Sequence, residues 1–207
     1  MNPPADTEQR ILDSARELIY ARSYADVGVA AICEHAGVKK GSFYHFFPSK
    51  RDLTLAVLEA YFTEFKNNLL EGAFTPDVPP LARLRRLGDL LYGFQKQIAD
   101  STGHLPGCPF GNLAVELSTQ EEPIRERVAD IFGRTEARIR DTLTEAMARG
   151  DLPGLDIEAT ARAMLAYMEG VMLMAKTRND PEVVRALMPA LADIRIPAAG
   201  SVPNGAH

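Results

Sequence analysis

Seven residues between positions 39 and 50 combine positive charge, hydrogen-bond donors and one glycine: Lys39, Lys40, Gly41, Ser42, Tyr44, His45 and Lys50. Ammonium groups pair with phosphate oxygens, while hydroxyl and imidazole groups bond to backbone oxygens or to base edges. A glycine at a helix end permits close approach of the backbone. Phe43, Phe46 and Phe47 are interleaved with these residues, and an aromatic side chain needs a core to bury it. The mixture describes a short helix with a donor-rich outer face and an aromatic inner one.

The surrounding pattern supplies the elements that must hold such a helix. Ile11, Leu12, Ala15, Leu18 and Ile19 recur at helical spacing, and Thr7 is placed to cap that first helix. A short second helix spans about Val29 to Ala36, with Ile32 and Cys33 inward. Gly37 suits a left-handed turn position. The third helix runs from about Lys40 to Phe46 and is stopped by Pro48. Ser49 then caps a long fourth helix, about 49–70, with Leu53, Ala56, Val57, Ala60, Tyr61 and Phe65 as its stripe. This is a helix-turn-helix with a connecting helix.

A helix-turn-helix sends the start of its second helix into the DNA major groove. Lys40 and Ser42 are then the base-edge readers, and Gly41 allows close approach. Lys39 lies at the turn, suited to a phosphate; Tyr44 and His45 can donate to backbone oxygens. Lys50 opens the fourth helix as a further phosphate contact. Phe43 and either Phe46 or Phe47 turn inward. Net charge does not decide the matter: the chain carries −5 overall, and through Lys50 six basic residues balance six acidic ones. Phosphate contact needs only a few well-placed cations.

The stretch from Ala36 to Lys50, Ala-Gly-Val-Lys-Lys-Gly-Ser-Phe-Tyr-His-Phe-Phe-Pro-Ser-Lys, resembles the tetracycline-repressor (TetR/AcrR) family, closely from Thr7 to about Leu58 and by helical layout alone beyond. The resemblance implies an all-α protein: an N-terminal three-helix DNA-binding domain and a C-terminal helical domain for ligand binding and dimerisation. It further implies a homodimer on a near-palindromic double-stranded DNA operator, usually a repressor released by a small molecule, with Tyr44 and Lys50 gripping phosphates. An activating use of the same fold stays open. One departure is that Gly28 and Val29 stand where many relatives have a threonine that caps the second helix and touches a phosphate. Glycine still caps at modest cost, but that side-chain contact is lost.

The chain divides on this reading into residues 1–50, residues 51–196, and a disordered tail at 197–207. Gly72 to Pro80 forms a linker, and helical pattern resumes from Leu81 to Ile98. An irregular Ser101–Gly111 stretch precedes a helix from about Asn112. Long helices follow over Glu122–Arg149 and, capped by Asp156, to about Thr177; a last one opens at Asp180-Pro181-Glu182 and ends near Ile194. A ligand pocket draws on Leu87, Leu91 and Phe94 of the first of these helices, and on Phe110, Leu113, Glu116, Leu117 and Phe132 from the middle. Cys108, Met164, Tyr167, Met168 and Met172 complete it, because sulfur-bearing and above all methionine side chains suit irregular apolar cavities. The same residues would also fill a solid core. Glu116 or Glu169 could orient a ligand there or favour a cationic one; the alternative is that each is solvated or salt-bridged.

Cys108, in Leu105-Pro106-Gly107-Cys108-Pro109-Phe110-Gly111, stands just before a helix whose amides favour a thiolate. This Gly-Cys segment resembles the electrophile-responsive, N-ethylmaleimide repressor branch of the family, which implies thiol sensing as one role for Cys108 and plain packing as the other. Cys33 reads as core. For dimerisation the small Ala159, Ala163, Ala166, Gly170 and Ala175 keep one helix slim, and Val183, Val184, Leu187, Met188 and Leu191 form a stripe on the next; two copies would pair as a four-helix bundle, the other reading being that the stripe packs within its own chain.

Other classes find less support. His104 and Cys108 are the only pairing that resembles a nucleophilic site, and no catalytic set, metal motif, phosphate loop, cofactor site, repeat or strand appears. A helical enzyme would need a polar group in the inner cavity, and a helical interaction protein would leave Lys40, Ser42, Tyr44 and Lys50 without a DNA role. No run approaches the roughly 20 apolar residues of a membrane span. The opening Met1-Asn2-Pro3-Pro4-Ala5-Asp6 lacks a signal peptide's basic and apolar regions, so a cytoplasmic chain is expected.

Overall fold

The computed structural model describes residues 4–199. Its contacts divide the chain into two compact units: residues 1–64 with 109–129, and residues 65–108 with 130–207. The expected break at residue 50 therefore falls inside the first unit, where Leu53 and Val57 of the fourth helix are fully buried.

In the first unit, α1 (Pro4–Ala21), α2 (Val29–Ala36) and α3 (Lys40–Phe46) pack on one another, and α1 meets α4 (Lys50–Phe65) through Tyr20 and Tyr61. Ile11, Ala15, Ile32, Phe43, Leu53, Val57 and Leu58 have no exposed surface. Thr7 lies within α1 rather than at its cap, since the helix already begins at Pro4, whose fixed φ suits a first turn. Ser49 does cap α4: its Oγ accepts from the Asp52 amide at 3.1 Å and donates to the Asp52 carboxylate at 2.7 Å. Gly37 ends α2 at φ 63°, with the Val38 amide returning to the Cys33 carbonyl at 2.9 Å. Arg10 covers the last carbonyls of α2, at Ala36 and Gly37. Tyr61 of α4 donates to the Arg16 carbonyl at 2.6 Å. The unit is completed by α7 (Pro109–Leu117) and the first turns of α8 (Glu122–Ala148). α7 starts three residues before the expected Asn112, with a proline at its first position.

In the second unit the chain leaves α4 through a wide π-turn, Lys66–Leu70, where the Glu71 amide reaches back to the Lys66 carbonyl. This extra width turns both Leu69 and Leu70 into the core. α5 (Glu71–Ala73) follows, so the expected linker shortens to residues 74–79. α6 (Pro80–Thr102), the rest of α8, α9 (Ile157–Arg178), α10 (Glu182–Leu187) and a 3-10 turn, Met188–Asp193, surround a core that includes Leu84, Leu87, Ile139, Leu143, Met164, Val184 and Met188. Gly88 lets α6 approach this turn: a Cβ there would stand 2.7 Å from Met188 Cγ. Arg83, buried, pairs with Glu145 and donates to the Val78 carbonyl at 2.6 Å, which fixes the 74–79 loop. Asp156 caps α9 by accepting from the Ala159 amide at 2.9 Å.

The tail expected from Pro197 begins in order. Pro197 forms an antiparallel bridge with Leu155, and the Ala198 amide donates to the Gly154 carbonyl at 2.9 Å. The backbone partners offered by the turn before α9 account for this. Residues 200–207 of the expected tail lie outside the described residues.

At Gly37 an added Cβ would stand 2.9 Å from Arg10 Nη2, on a backbone at φ 63°. Gly37→Ala should destabilise the protein by about 1–2 kcal/mol, measured as a lower urea midpoint with an unchanged m-value.

Candidate nucleic-acid interface and regulatory centre

α3 is seven residues long, and its inner face is set by Phe43, fully buried, and Phe47, one turn later, with ring centroids 6.2 Å apart. Phe46 is only half-buried, so Phe47 takes the second inward position. Fixing that face turns the polar row outward. Lys39, Lys40, Gly41, Tyr44 and His45 are exposed, and Ser42 is half-buried. Tyr44 keeps 54% of its surface accessible while its ring edge packs on Phe43. A Cβ at Gly41 would meet nothing within 4 Å, so this glycine serves no internal contact. Lys39 caps α3 through its backbone alone, and its side chain remains uncommitted to the cap. Gly28, at the start of α2, likewise makes no side-chain cap.

Lys50 behaves differently from the rest of the expected set. Its ammonium donates to the Tyr24 carbonyl and lies 3.7 Å from the centroid of the Tyr24 ring. Burial pulls this ammonium below its usual range, opposed by the nearby Glu116 carboxylate. Burial also pushes the Tyr24 phenol up, helped by Glu121. Glu116, expected at a ligand pocket, instead spends both oxygens on the α1–α2 turn, accepting from the Tyr24 amide at 3.0 Å and the Ala25 amide at 2.7 Å. Sequence reasoning missed Tyr24 and the turn's reliance on α7. Nothing local signals a bond between residues 92 positions apart.

The remaining expected pocket residues divide between the units. Phe110, Leu113 and Leu117 belong to the first and are buried. In the second, Leu87, Leu91, Met164, Met168 and Met172 are buried, and Phe132 is half-buried. Phe94 is corrected to a surface residue, on the outer side of α6. Tyr167 uses its hydroxyl internally, donating to the Leu187 carbonyl at 2.7 Å.

A polar cluster lies around the 103–108 loop. Asn179, in the left-handed conformation at φ 50°, accepts from the Leu105 amide at 2.7 Å and donates to the Gly103 carbonyl at 3.0 Å. Gln95, buried, donates weakly to the Gly107 carbonyl at 3.4 Å and leaves its Oε1 without a partner among the described residues. Glu169, half-buried on α9, has its carboxyl pushed above the ordinary value by burial, with a hydrogen bond to Cys108 acting in the opposite sense. His104 is exposed. Cys33 is buried, and burial pushes its thiol up.

The expected dimer stripe needs correction. Val183, Val184, Met188 and Leu191 are buried in the second unit's own core, and Leu187 packs against it. These side chains have already found their apolar partners within the chain. Along α9, Ala159 and Ala163 are half-buried, whereas Ala166, Gly170, Leu173 and Met174 are exposed, Leu173 at 60%.

Comparison with known proteins places this geometry. Residues 11–57 match the domain family described as bacterial regulatory proteins, tetR family. Residues 80–191 match the tetracyclin repressor-like C-terminal domain. The transcriptional regulator AcuR of Cereibacter sphaeroides is 33% identical over 84% of this chain and 78% of its own. A crystal structure of a regulatory protein TetR from Rhodobacter sphaeroides superposes with a TM-score of 0.79 at 30% identity, over 91% of this chain and 98% of that one. Reduced NemR of E. coli shares the fold, with a TM-score of 0.70 at 21% identity over 93% and 99%. Such regulators act by binding DNA and are not enzymes. With both halves matched and the outward row of α3 in place, the chain belongs to the TetR family of transcriptional regulators.

Proposed function

We propose that this regulator is a repressor that binds a near-palindromic operator as a homodimer in the cytoplasm, and that a small molecule or reactive electrophile acting on its second unit releases it. The observation that carries the DNA reading is the exposed row Lys39, Lys40, Gly41, Tyr44 and His45 on a helix whose opposite face is fixed by Phe43 and Phe47. Lys40 and Ser42 read base edges, Lys39 and Tyr44 hold phosphates, and Lys50 joins them when its ammonium leaves Tyr24. Among the described residues no helix is long and apolar enough to cross a membrane.

The dimer surface in this reading is the outer row of α9, Ala166, Gly170, Leu173 and Met174, at helical spacing. The small residues permit close approach, and the two long ones supply apolar area. Two recognition helices then match two half-sites.

Release draws on the cluster at the 103–108 loop. Gln95 Oε1 is a buried acceptor with no partner among the described residues, and the Cys108 thiol and Glu169 carboxyl share a hydrogen bond. A ligand with a hydrogen-bond donor satisfies the first; an activated alkene takes the Cys108 sulfur at one carbon of its double bond and the thiol proton at the other, which ends the bond to Glu169. Cys108 is followed at once by Pro109, the start of α7, so any displacement of the loop reaches α7 through the chain itself. Effector binding must favour the released geometry by a few kcal/mol to switch the population.

Selection of genomic fragments by the purified, reduced protein at moderate salt should return a recurrent near-palindrome; retention of no common sequence by folded dimer counts against the operator reading. Sedimentation at micromolar concentration should give a dimer mass for the native chain and a lower mass for Leu173→Glu, and a native monomer rejects the assembly. Alkylation should weaken operator binding at least tenfold in the native chain and leave Cys108→Ser unaffected, whereas equal binding before and after alkylation removes the thiol from the release mechanism.

A further inference from the structure

The turn between α1 and α2 is held by two side chains of opposite charge acting on one peptide group. The peptide joining Tyr24 to Ala25 donates its N–H to Glu116 Oε1 at 2.7 Å. Its carbonyl oxygen accepts from Lys50 Nζ. The preceding N–H, of Tyr24, donates to the other Glu116 oxygen at 3.0 Å, and the Tyr24 ring lies under the same ammonium at 3.7 Å. The order is carboxylate, peptide, ammonium. A carboxylate bonded to an amide N–H withdraws the proton toward itself and leaves the carbonyl oxygen of that amide more negative, so hydrogen bonds in such a chain strengthen one another. Glu116 therefore makes the Tyr24 carbonyl a better acceptor for Lys50, and its own charge also attracts the ammonium. All three residues lie in the first unit.

We infer that Glu116 is a positioning residue for DNA binding, which through the Tyr24–Ala25 peptide keeps Lys50 turned away from a DNA phosphate. A phosphate takes Lys50 only by outcompeting a polarised carbonyl and an aromatic face. α7 thereby sets the affinity of a DNA contact that it does not itself touch. The inference rests on the proposed phosphate role of Lys50.

The test uses the full-length protein and a short duplex without an operator, with affinity measured against salt concentration. Variants are Glu116→Ala, Glu116→Gln, Lys50→Ala and the two double substitutions. Lys50→Ala should lower the salt slope by about 0.9, the loss of one phosphate contact. Glu116→Ala should tighten binding roughly three- to tenfold at fixed salt, the worth of about one net hydrogen bond, with the slope unchanged. Glu116→Gln, which keeps one acceptor for the turn but loses the charge, should gain less. In the Lys50→Ala background both gains should vanish. Amide exchange at Tyr24 and Ala25 should quicken in Glu116→Ala while α1 and α4 keep their protection. If Glu116→Ala loses its fold, Glu116→Gln carries the cycle alone. Equal tightening with and without Lys50 overturns the inference, because a general charge effect then explains it; no tightening, with the Lys50 slope loss intact, overturns it as well. An unchanged slope in Lys50→Ala instead rejects the phosphate role beneath it.

Discussion

A helix of seven residues cannot stand by itself in water, because the nucleation cost is spread over too few hydrogen bonds. α3 exists because Phe43 is buried completely and Phe47, the extended residue that caps its end, nearly so. That pair fixes the rotation of α3 about its own axis. Lys40 and Tyr44, and Gly41 and His45, are likewise separated by four positions, so fixing the aromatic pair fixes two outward rows at once. Gly37 sets the angle at which α3 follows α2, and Arg10 satisfies the carbonyls left over at the end of α2. The outward presentation of Lys40, Gly41, Tyr44 and His45 thus depends on an apolar contact made on the opposite side of the helix.

The second unit uses a different device around its irregular loop. Residues 103–108 have no helical ladder to satisfy their backbone, and three polar side chains supply partners: Thr102 and Gln95 from α6 and Asn179 from the end of α9, while Glu169 from the middle of α9 bonds the Cys108 side chain. Polar groups held among apolar side chains are sensitive to any change in their bonding.

Much of this was legible in the chain. The Gly37 turn, Pro48 and Ser49 mark their boundaries by local chemistry, and the structure has each where that chemistry requires. Asp156 capped its helix as expected, since a cap acts across three residues. Features governed by distant partners were not legible. Lys50 looks like any exposed lysine at a helix start until the Tyr24 carbonyl, 26 positions earlier, is placed beside it. Glu116 looks like a carboxylate facing a cavity until two amides from another helix pair's turn arrive. The stripe from Val183 to Leu191 is equally apolar whether it meets a second chain or its own core, and periodicity reports only that a face is buried, not by what. Pro197 is preceded by no strand pattern, so its bridge to Leu155 depends on a turn 42 positions away.

The first unit is assembled from two separate stretches of chain, one ending at residue 64 and the other spanning 109–129. Its fold is consequently incomplete when a ribosome has delivered only the helix-turn-helix; the stretch that closes the α1–α2 turn arrives after α6 has been made. Modular exchange is constrained in the same way. A single crossover downstream of α4 would transfer the recognition helix but leave Glu116 and its neighbours behind. Lifting the unit whole requires junctions after 64, before 109 and after 129, so recombination between relatives should preserve matched pairs of recognition and regulatory segments rather than shuffle them freely.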